Sequence, residues 1–469
     1  MNIIELIKKI APIAFSGIGV AIISFFFDLI IKKRRDNHSK NKDEDKNIRD
    51  NYSENTIHDI TGNSNTVINN SGEINNYSVN YDMKRLENMY KDACTYINVD
   101  REKALKKFEG LSENISKEDF AELFYCVESK IGLIYGMKAF NQDKRYNCQM
   151  AIISYEKALS VGNKIDKNKI CDDYHNLGNI YCMLGEVCDK EENTLKAIEY
   201  YNKSLDICSC INNKDAYGNT MGCIGSAYRS LSIVKEKEKN LLCAIDYFEK
   251  AEMYCCKGEH YAELKHNQAL TYVDIFKIKK DEKYLEKAEE SFNNALTFFT
   301  MEREPEKYAV LKNNMANLYR YMYENNGNKL CVENAIQCCK SALLIYTKDS
   351  YPQGYALCMR NLGNCFLELF QADAIKAYFE KSLEAYNKSL GIYTAIDDPL
   401  HYSYVQKSIG DLYVLLANVE EKSENLQQAI SFYENALLVL TRKKYPADYE
   451  EVEQAKKNAQ IKLNVVEKK

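Results

Sequence analysis

Residues 360 to 364 read RNLGN, an Arg, two Asn and a Gly within five positions. Such a set can cradle phosphate on a loop, line the polar wall of a groove, or sit in a helix with a small residue at a packing point. The rest of the chain offers little covalent chemistry. It contains no GxxxxGK[ST], no GxSxG and no dinucleotide fingerprint, and no carboxylate pair stands apart from ordinary helix-surface charge. The six His (His38, His58, His175, His260, His266, His401) fall singly, without HExxH. His260 and His266 would point to nearly opposite faces of a helix. Seventeen Cys include no CxxC, and the close pairs Cys208/Cys210, Cys255/Cys256 and Cys338/Cys339 are poor zinc ligand sets without a second pair facing them. These cysteines read as small apolar residues of helix cores, kept reduced. The expectation is a protein that is not an enzyme, with no metal and no cofactor. Lys plus Arg number 63 against 68 Asp plus Glu, a net charge of -5, so no general attraction to nucleic acid follows.

The elements that would position RNLGN emerge from self-comparison. A small residue followed three positions later by an aromatic recurs at Gly132/Tyr135, Gly178/Tyr181, Gly225/Tyr228, Ala269/Tyr272, Ala316/Tyr319, Gly363/Phe366 and Gly410/Tyr413, at intervals of 44 to 47 residues. Nineteen positions on runs a second column, Ala151, Ala197, Ala244, Ala288, Ala335, Ser382 and Ala429. Four further on lie Tyr155, Tyr201, Phe248, Phe292, Cys339, Tyr386 and Tyr433. Spacings of three, four and seven are helical, so each repeat holds two amphipathic helices, A and B. Small residues let the pair approach closely while the aromatics fill the flanking space. Pro305, Pro352, Pro399 and Pro446, each 47 apart, suit the first turn of helix A.

This pattern resembles the tetratricopeptide repeat family over about 118 to 465. The resemblance implies an all-α solenoid, a superhelix of helix pairs. The period of about 47 exceeds the family's usual 34, so the helices or their connection are longer, with GEVCDKEENTL and YENNGNKLCVE as the extra segments. The organisation expected is a cap at 83–117, seven repeats over 118–445, and a capping helix and tail at 446–469, where polar Lys457 stands at the small-residue position as an end needs.

The family binds proteins or peptides on a concave surface lined by helix A. Its register places the groove three before, one after and four after each small residue. That assigns Asn179, Arg229, Asn313, Asn317, Arg320, Arg360, Asn364 and Lys407 to a peptide- or protein-binding face, with repeats five and six the most polar and basic. Asn can donate to and accept from an extended backbone, and Arg can grip a carboxylate in bidentate fashion. The competing reading is a solvated inner face. A neighbouring column, Asn176, Asn267, Asn314 and Asn361, reads as structural, bonding to the backbone of the adjacent repeat.

The N-terminal region has another character. Residues 10 to 27 carry no charge, and after Asp28 come LII and then KKRR. As a helix, 10–31 would cover about 33 Å, enough to span a bilayer. A secretory signal would have a shorter apolar core and a cleavage site. Basic residues concentrate after the span, which predicts a single-pass cell-membrane protein with a cytoplasmic C-terminal domain. Residues 1–35 are thus an anchor and 36–82 a polar tether. Within the tether, 55–80 has the Ile/Val/Thr runs and Asn/Gly turns of a short β-hairpin-like linker. Self-association could follow through that segment, or through the span by its Gly17 and Ala21. The function expected is a protein- or peptide-binding scaffold tethered to the membrane. Two rivals are a sensor closing around a signalling peptide, like peptide-pheromone receptors, and a membrane effector of a bacterial defence system.

Overall fold

The computed structural model describes residues 77–467 apart from 212 and 256. The apolar span 10–31, the tether from 36 and the strand-like segment as far as 76 lie outside the described residues. Among the described residues there are seventeen α-helices, one 3-10 turn and no strand, and no helix is long and apolar enough to cross a membrane. They form two compact units that part between Asn213 and Lys214.

The first unit contains α1 (Tyr77–Tyr96) and α2 (Arg101–Asn114), followed by two A/B pairs. These are α3 (Ala121–Lys138) with α4 (Lys144–Leu159), and α5 (Lys167–Gly185) with α6 (Lys190–Cys210). The second unit holds five pairs and a terminal helix. Its pairs are α7 (Lys214–Leu231) with α8 (Lys237–Glu252), α9 (Glu259–Lys279) with α10 (Lys283–Leu296), α11 (Pro305–Asn326) with α12 (Lys329–Leu343), α13 (Pro352–Asp373) with α14 (Lys376–Leu390), and α15 (Pro399–Leu416) with α16 (Lys422–Val439). The terminal helix is α17 (Pro446–Glu467).

Within each unit the pairing follows the sequence columns. A and B of one repeat pack along their length, and B then meets A of the next repeat. The small residue of helix A lies under the aromatic of helix B: a Cβ added at Gly363 would stand 2.5 Å from Tyr386, at Gly410 2.6 Å from Tyr433 and at Gly225 2.7 Å from Phe248. The rings press on the A-helix backbone, and Tyr155, Tyr201, Phe248, Phe292, Tyr386 and Tyr433 are all buried. Pro305, Pro352 and Pro399 open α11, α13 and α15 at the first helical turn, where an N–H has no partner to lose. Lys457 is exposed on α17 and pairs with Glu453.

The structure resolves the long period and corrects two expectations. The extra residues lengthen both helices instead of forming a loop: α5 runs to Gly185 and α6 begins at Lys190, and α11 runs to Asn326 with α12 beginning at Lys329. The A-to-B turn is closed by a residue eleven after the small one, which is left-handed in six repeats: Asp189, Glu236, Lys280, Gly327, Ala374 and Glu421. Asn193, Asn240 and Asn425 donate side-chain N–H to carbonyls of that turn, supplying partners the helix end lacks. The first correction is that Tyr77 to Asn80, expected within a strand, are the opening turn of α1; extending a nucleated helix costs little per residue. The second concerns thiols. Cys171 on α5 and Cys208 on α6 are joined as a disulfide, their Cα atoms 6.3 Å apart where the two helices cross, whereas buried cysteines such as Cys148, Cys182, Cys339 and Cys358 are free thiols.

Candidate ligand-binding face

In the second unit, helix A of each repeat also touches helix A of the next, so one face is built from α7, α9, α11, α13 and α15. The polar side chains on it fall into three repeating arrangements, which decide what each predicted residue is free to do.

The first joins successive repeats through buried amides. Asn361 Nδ2 donates to Asn313 Oδ1 at 2.8 Å, and Asn314 Nδ2 bonds His266 Nε2 at 2.9 Å. The Asn column two before the small residue therefore braces repeats, as its register suggested, but through the side chain three before the preceding small residue and not through backbone. Asn313 also accepts from Cys358 Sγ at 3.3 Å and is 3% exposed, so it is committed to packing. His266 is held neutral: burial, with the charges of Arg229 and Lys307, lowers its pKa to about 3.

The second is an ion pair from the residue four after one small position to the acid five after the next. Arg229 bonds Asp274 through Nε at 3.1 Å and Nη2 at 2.8 Å, and Arg320 bonds Glu368 through Nε and Nη2, both at 2.7 Å. Both cations are partly buried, and each is neutralised by its neighbour repeat. Lys407 is likewise held, by Asp411 at 3.1 Å and Glu451 at 2.9 Å.

The third links helix A to its own helix B. Tyr386 Oη donates to Asn364 Oδ1 and Tyr433 Oη to Asp411 Oδ1, each at 2.7 Å. In the first unit Tyr201 Oη donates to buried Asn179 Oδ1, also at 2.7 Å. The residue one after the small position is thus an acceptor for the tyrosine hydroxyl. Repeat five breaks the pairing: Asn317 occupies the acceptor position, but helix B carries Cys339 in place of Tyr. Asn317 is half-buried and its carboxamide has no hydrogen-bond partner among the described residues.

Arg360 is the other exception. It forms no ion pair, and its Nε is buried with no acceptor. Its guanidinium lies 5.9 Å from the centre of the Tyr404 ring, whose hydroxyl donates to Asp448 at 2.9 Å. Burial lowers the Arg360 pKa, an effect the phenols of Tyr393, Tyr386 and Tyr404 oppose and the charge of Arg320 reinforces. Of the eight residues assigned by register, Arg229, Asn313, Arg320, Asn364 and Lys407 have partners inside the protein; Asn179 accepts through Oδ1 but leaves Nδ2 without one, and Asn317 and Arg360 form no side-chain hydrogen bond or ion pair among the described residues. The acids that capture the cations, Asp274 and Glu368, went unread in the sequence, although their shared offset was available there. A groove of about 570 Å³ beside Tyr355, Phe379 and Leu383 contains none of the eight.

The tetratricopeptide repeat profile matches residues 174–209, which are most of α5 and α6. No curated protein matches the chain. Among solved structures, a tetratricopeptide repeat protein from Parabacteroides merdae is 18% identical, with 70% of this chain and 98% of that one covered and a TM-score of 0.42. A Rap protein complexed with competence and sporulation factor is 12% identical, with 81% and 99% covered and a TM-score of 0.38. Yeast Tom70 is 11% identical, with 82% and 98% covered and a TM-score of 0.27. One copy matches the family profile directly and the others keep its columns in register, so the chain carries tetratricopeptide-type repeats, lengthened to about 47 residues. Such a helical scaffold is suited to protein binding.

Proposed function

We propose that the chain is a non-enzymatic scaffold that binds a protein or peptide on the A-helix face of repeats five and six and holds it at the cytoplasmic side of the membrane. One observation carries the reading: on a face where the neighbouring cations are paired internally, Arg360 forms no ion pair and has a buried Nε without an acceptor, and Asn317, half-buried, makes no side-chain hydrogen bond among the described residues. Native proteins satisfy nearly all buried polar atoms, so unspent ones on a repeat surface mark where a ligand supplies the partner. Asn317 offers one donor and one acceptor direction to an extended backbone, and Arg360, close to one repeat further on, offers a charged anchor. The apolar stretch 10–31 and the basic residues after it support tethering.

Cross-linking capture with the full chain tests the binding. Asn317→Ala with Arg360→Gln should lose the captured partner while helicity and melting hold, and undiminished capture would sink the reading. Fractionation tests the tether: the full chain should need detergent for release from membranes, and recovery in the soluble fraction without detergent would refute it.

A further inference from the structure

Each repeat has a second register pair, at the end of its two helices opposite the A-to-B turn: the residue seven before the small position and the residue 37 further on. In repeats four, five and six these are Ala262/Phe299, Ala309/Tyr346 and Ala356/Tyr393, all buried. Ala309 and Tyr346 share one apolar cluster, as do Ala356 and Tyr393. Tyr393 Oη reaches on to the opening turn of helix A and donates to the Gln353 carbonyl at 3.2 Å. In repeat three a Cβ added at Gly218 would stand 3.2 Å from Cys255 Sγ. Repeat two alone has Cys in both places, Cys171 and Cys208, and there the contact is the disulfide. The equivalence is spatial as well. Ser204 Oγ donates to the Cys171 carbonyl at 2.9 Å, and Ser389 Oγ, in the same register position, to the Ala356 carbonyl at 2.8 Å.

A ring over a small residue closes this end by packing. Two cysteines have fewer than half the side-chain atoms of an Ala and a Tyr, and without their bond they leave the space under-filled. Cys208 lies in the last turn of α6, which ends at Cys210, shortly before the two units part, and helix ends open more readily than helix middles. We propose that Cys171 and Cys208 form a reversible redox latch: oxidation fixes the last turn of α6 on α5, and reduction frees it. A permanent staple fits poorly. The other repeats close the same end without a covalent bond, and buried free thiols such as Cys148, Cys182, Cys339 and Cys358 persist under reducing conditions, where a disulfide forms when oxidant appears and is removed again. With a peroxide as oxidant, the Cys208 thiolate attacks the O–O bond and becomes a sulfenic acid while one water leaves. The Cys171 thiolate then displaces the sulfenic hydroxyl as a second water, so the two thiols give up two electrons and two protons as S–S forms. An external dithiol reverses the step by two exchanges and is itself oxidised to a disulfide.

The test follows the full chain through one redox cycle. After dithiothreitol, alkylation and mass spectrometry should find Cys171 and Cys208 as thiols in a protein of native helicity. Hydrogen peroxide should then give the linked Cys171–Cys208 peptide, and fresh dithiothreitol should remove it. A link that never forms, or one that resists dithiothreitol while the chain stays folded, would overturn the proposal. Hydrogen exchange reads the consequence: amides in the last turn of α6 should exchange about tenfold or more faster in the reduced chain, with the last turn of α14 unchanged. Equal exchange in both states would also overturn it. Cys171→Ser with Cys208→Ser should exchange fast with or without peroxide, and a redox effect that persisted there would belong to other cysteines and refute the latch. Cys171→Ala with Cys208→Tyr, which installs the pair of repeats five and six, should exchange slowly in both conditions. Fast exchange in that variant at native helicity would refute the packing equivalence on which the latch rests; should it fail to fold, the wild-type and serine comparison decides.

Discussion

Replacing Gly363 by Ala tests the packing rule on which the repeat register rests. The added Cβ would meet Tyr386 at 2.5 Å from Cε1 and 2.6 Å from Cδ1. Carbon atoms pack at about 3.5–4.0 Å, so the ring must withdraw by about 1 Å. Its hydroxyl, now 2.7 Å from Asn364 Oδ1, would move beyond hydrogen-bonding range. Overpacking costs about 1–3 kcal/mol and the lost hydrogen bond about 0.5–1.5, while Ala in a helix returns about 1. The net expectation is a loss of about 1–3 kcal/mol. Repeat five supplies the control, since there Ala316 is combined with Cys339 in the register position of the Tyr. In a Tyr386→Cys background Gly363→Ala should therefore be neutral or slightly favourable, a coupling of about 2 kcal/mol. Urea unfolding of the four proteins of the cycle, followed by far-UV circular dichroism, measures this. An unchanged midpoint for Gly363→Ala, or the same cost in both backgrounds, would refute the reasoning.

Three further outcomes follow from particular contacts. Ala374 closes its A-to-B turn at φ 54° and Gly327 closes the equivalent turn at φ 68°; Ala374→Gly should stabilise by about 0.5–1 kcal/mol and Gly327→Ala should destabilise by a similar amount, read from denaturation midpoints. Glu368→Ala would leave Arg320 with only the exposed Glu324, 3.9 Å away, and should cost about 3 kcal/mol, whereas Arg320→Met with Glu368→Leu should cost far less; equal losses would argue against the ion-pair ladder. Burial raises the Asp173 pKa from 3.8 to about 6, against the hydrogen bond from Ser129, so the folded state binds the extra proton and this residue's contribution declines as pH rises from about 4 to 6. Asp173→Asn should remove that slope and gain about 1–3 kcal/mol at pH 7, while His266, lowered to about 3, works oppositely: its contribution is lost as pH falls below about 6.5, and His266→Gln should flatten that limb.

Much of the fold was legible because packing repeats itself. Gly363 and Tyr386 stand 23 apart, as do Gly178 and Tyr201, and a ring lying on a backbone tolerates only a small residue at each recurrence. The prolines at helix starts were legible for the same reason. The candidate site was legible only as a set of positions. Register placed Arg320 and Arg360 on one face, but whether a cation is free depends on an acid in the next repeat, and Glu368 at offset five looks like any other helix-surface charge until the A helices are laid side by side. Asn364 and Asn317 hold the same register position, and only the residue on the facing helix, Tyr386 or Cys339, separates a structural amide from an unspent one. The Cys171–Cys208 pairing joins residues 37 apart, a separation set by where α5 and α6 cross and marked by no local motif. The opening turn of α1 was hidden by its Tyr, Ser, Val and Asn, which have no strong helical preference of their own.

Site-specific photo-cross-linking in cells tests the central claim most directly. A photoreactive residue placed at Asn317 on the A-helix face, and another at exposed Leu242 on α8, would each report what lies within reach. The account predicts a discrete cross-linked partner from position 317 that disappears with Arg360→Gln and is absent from position 242. Cross-links from position 242 alone, or a partner at 317 indifferent to Arg360, would contradict it.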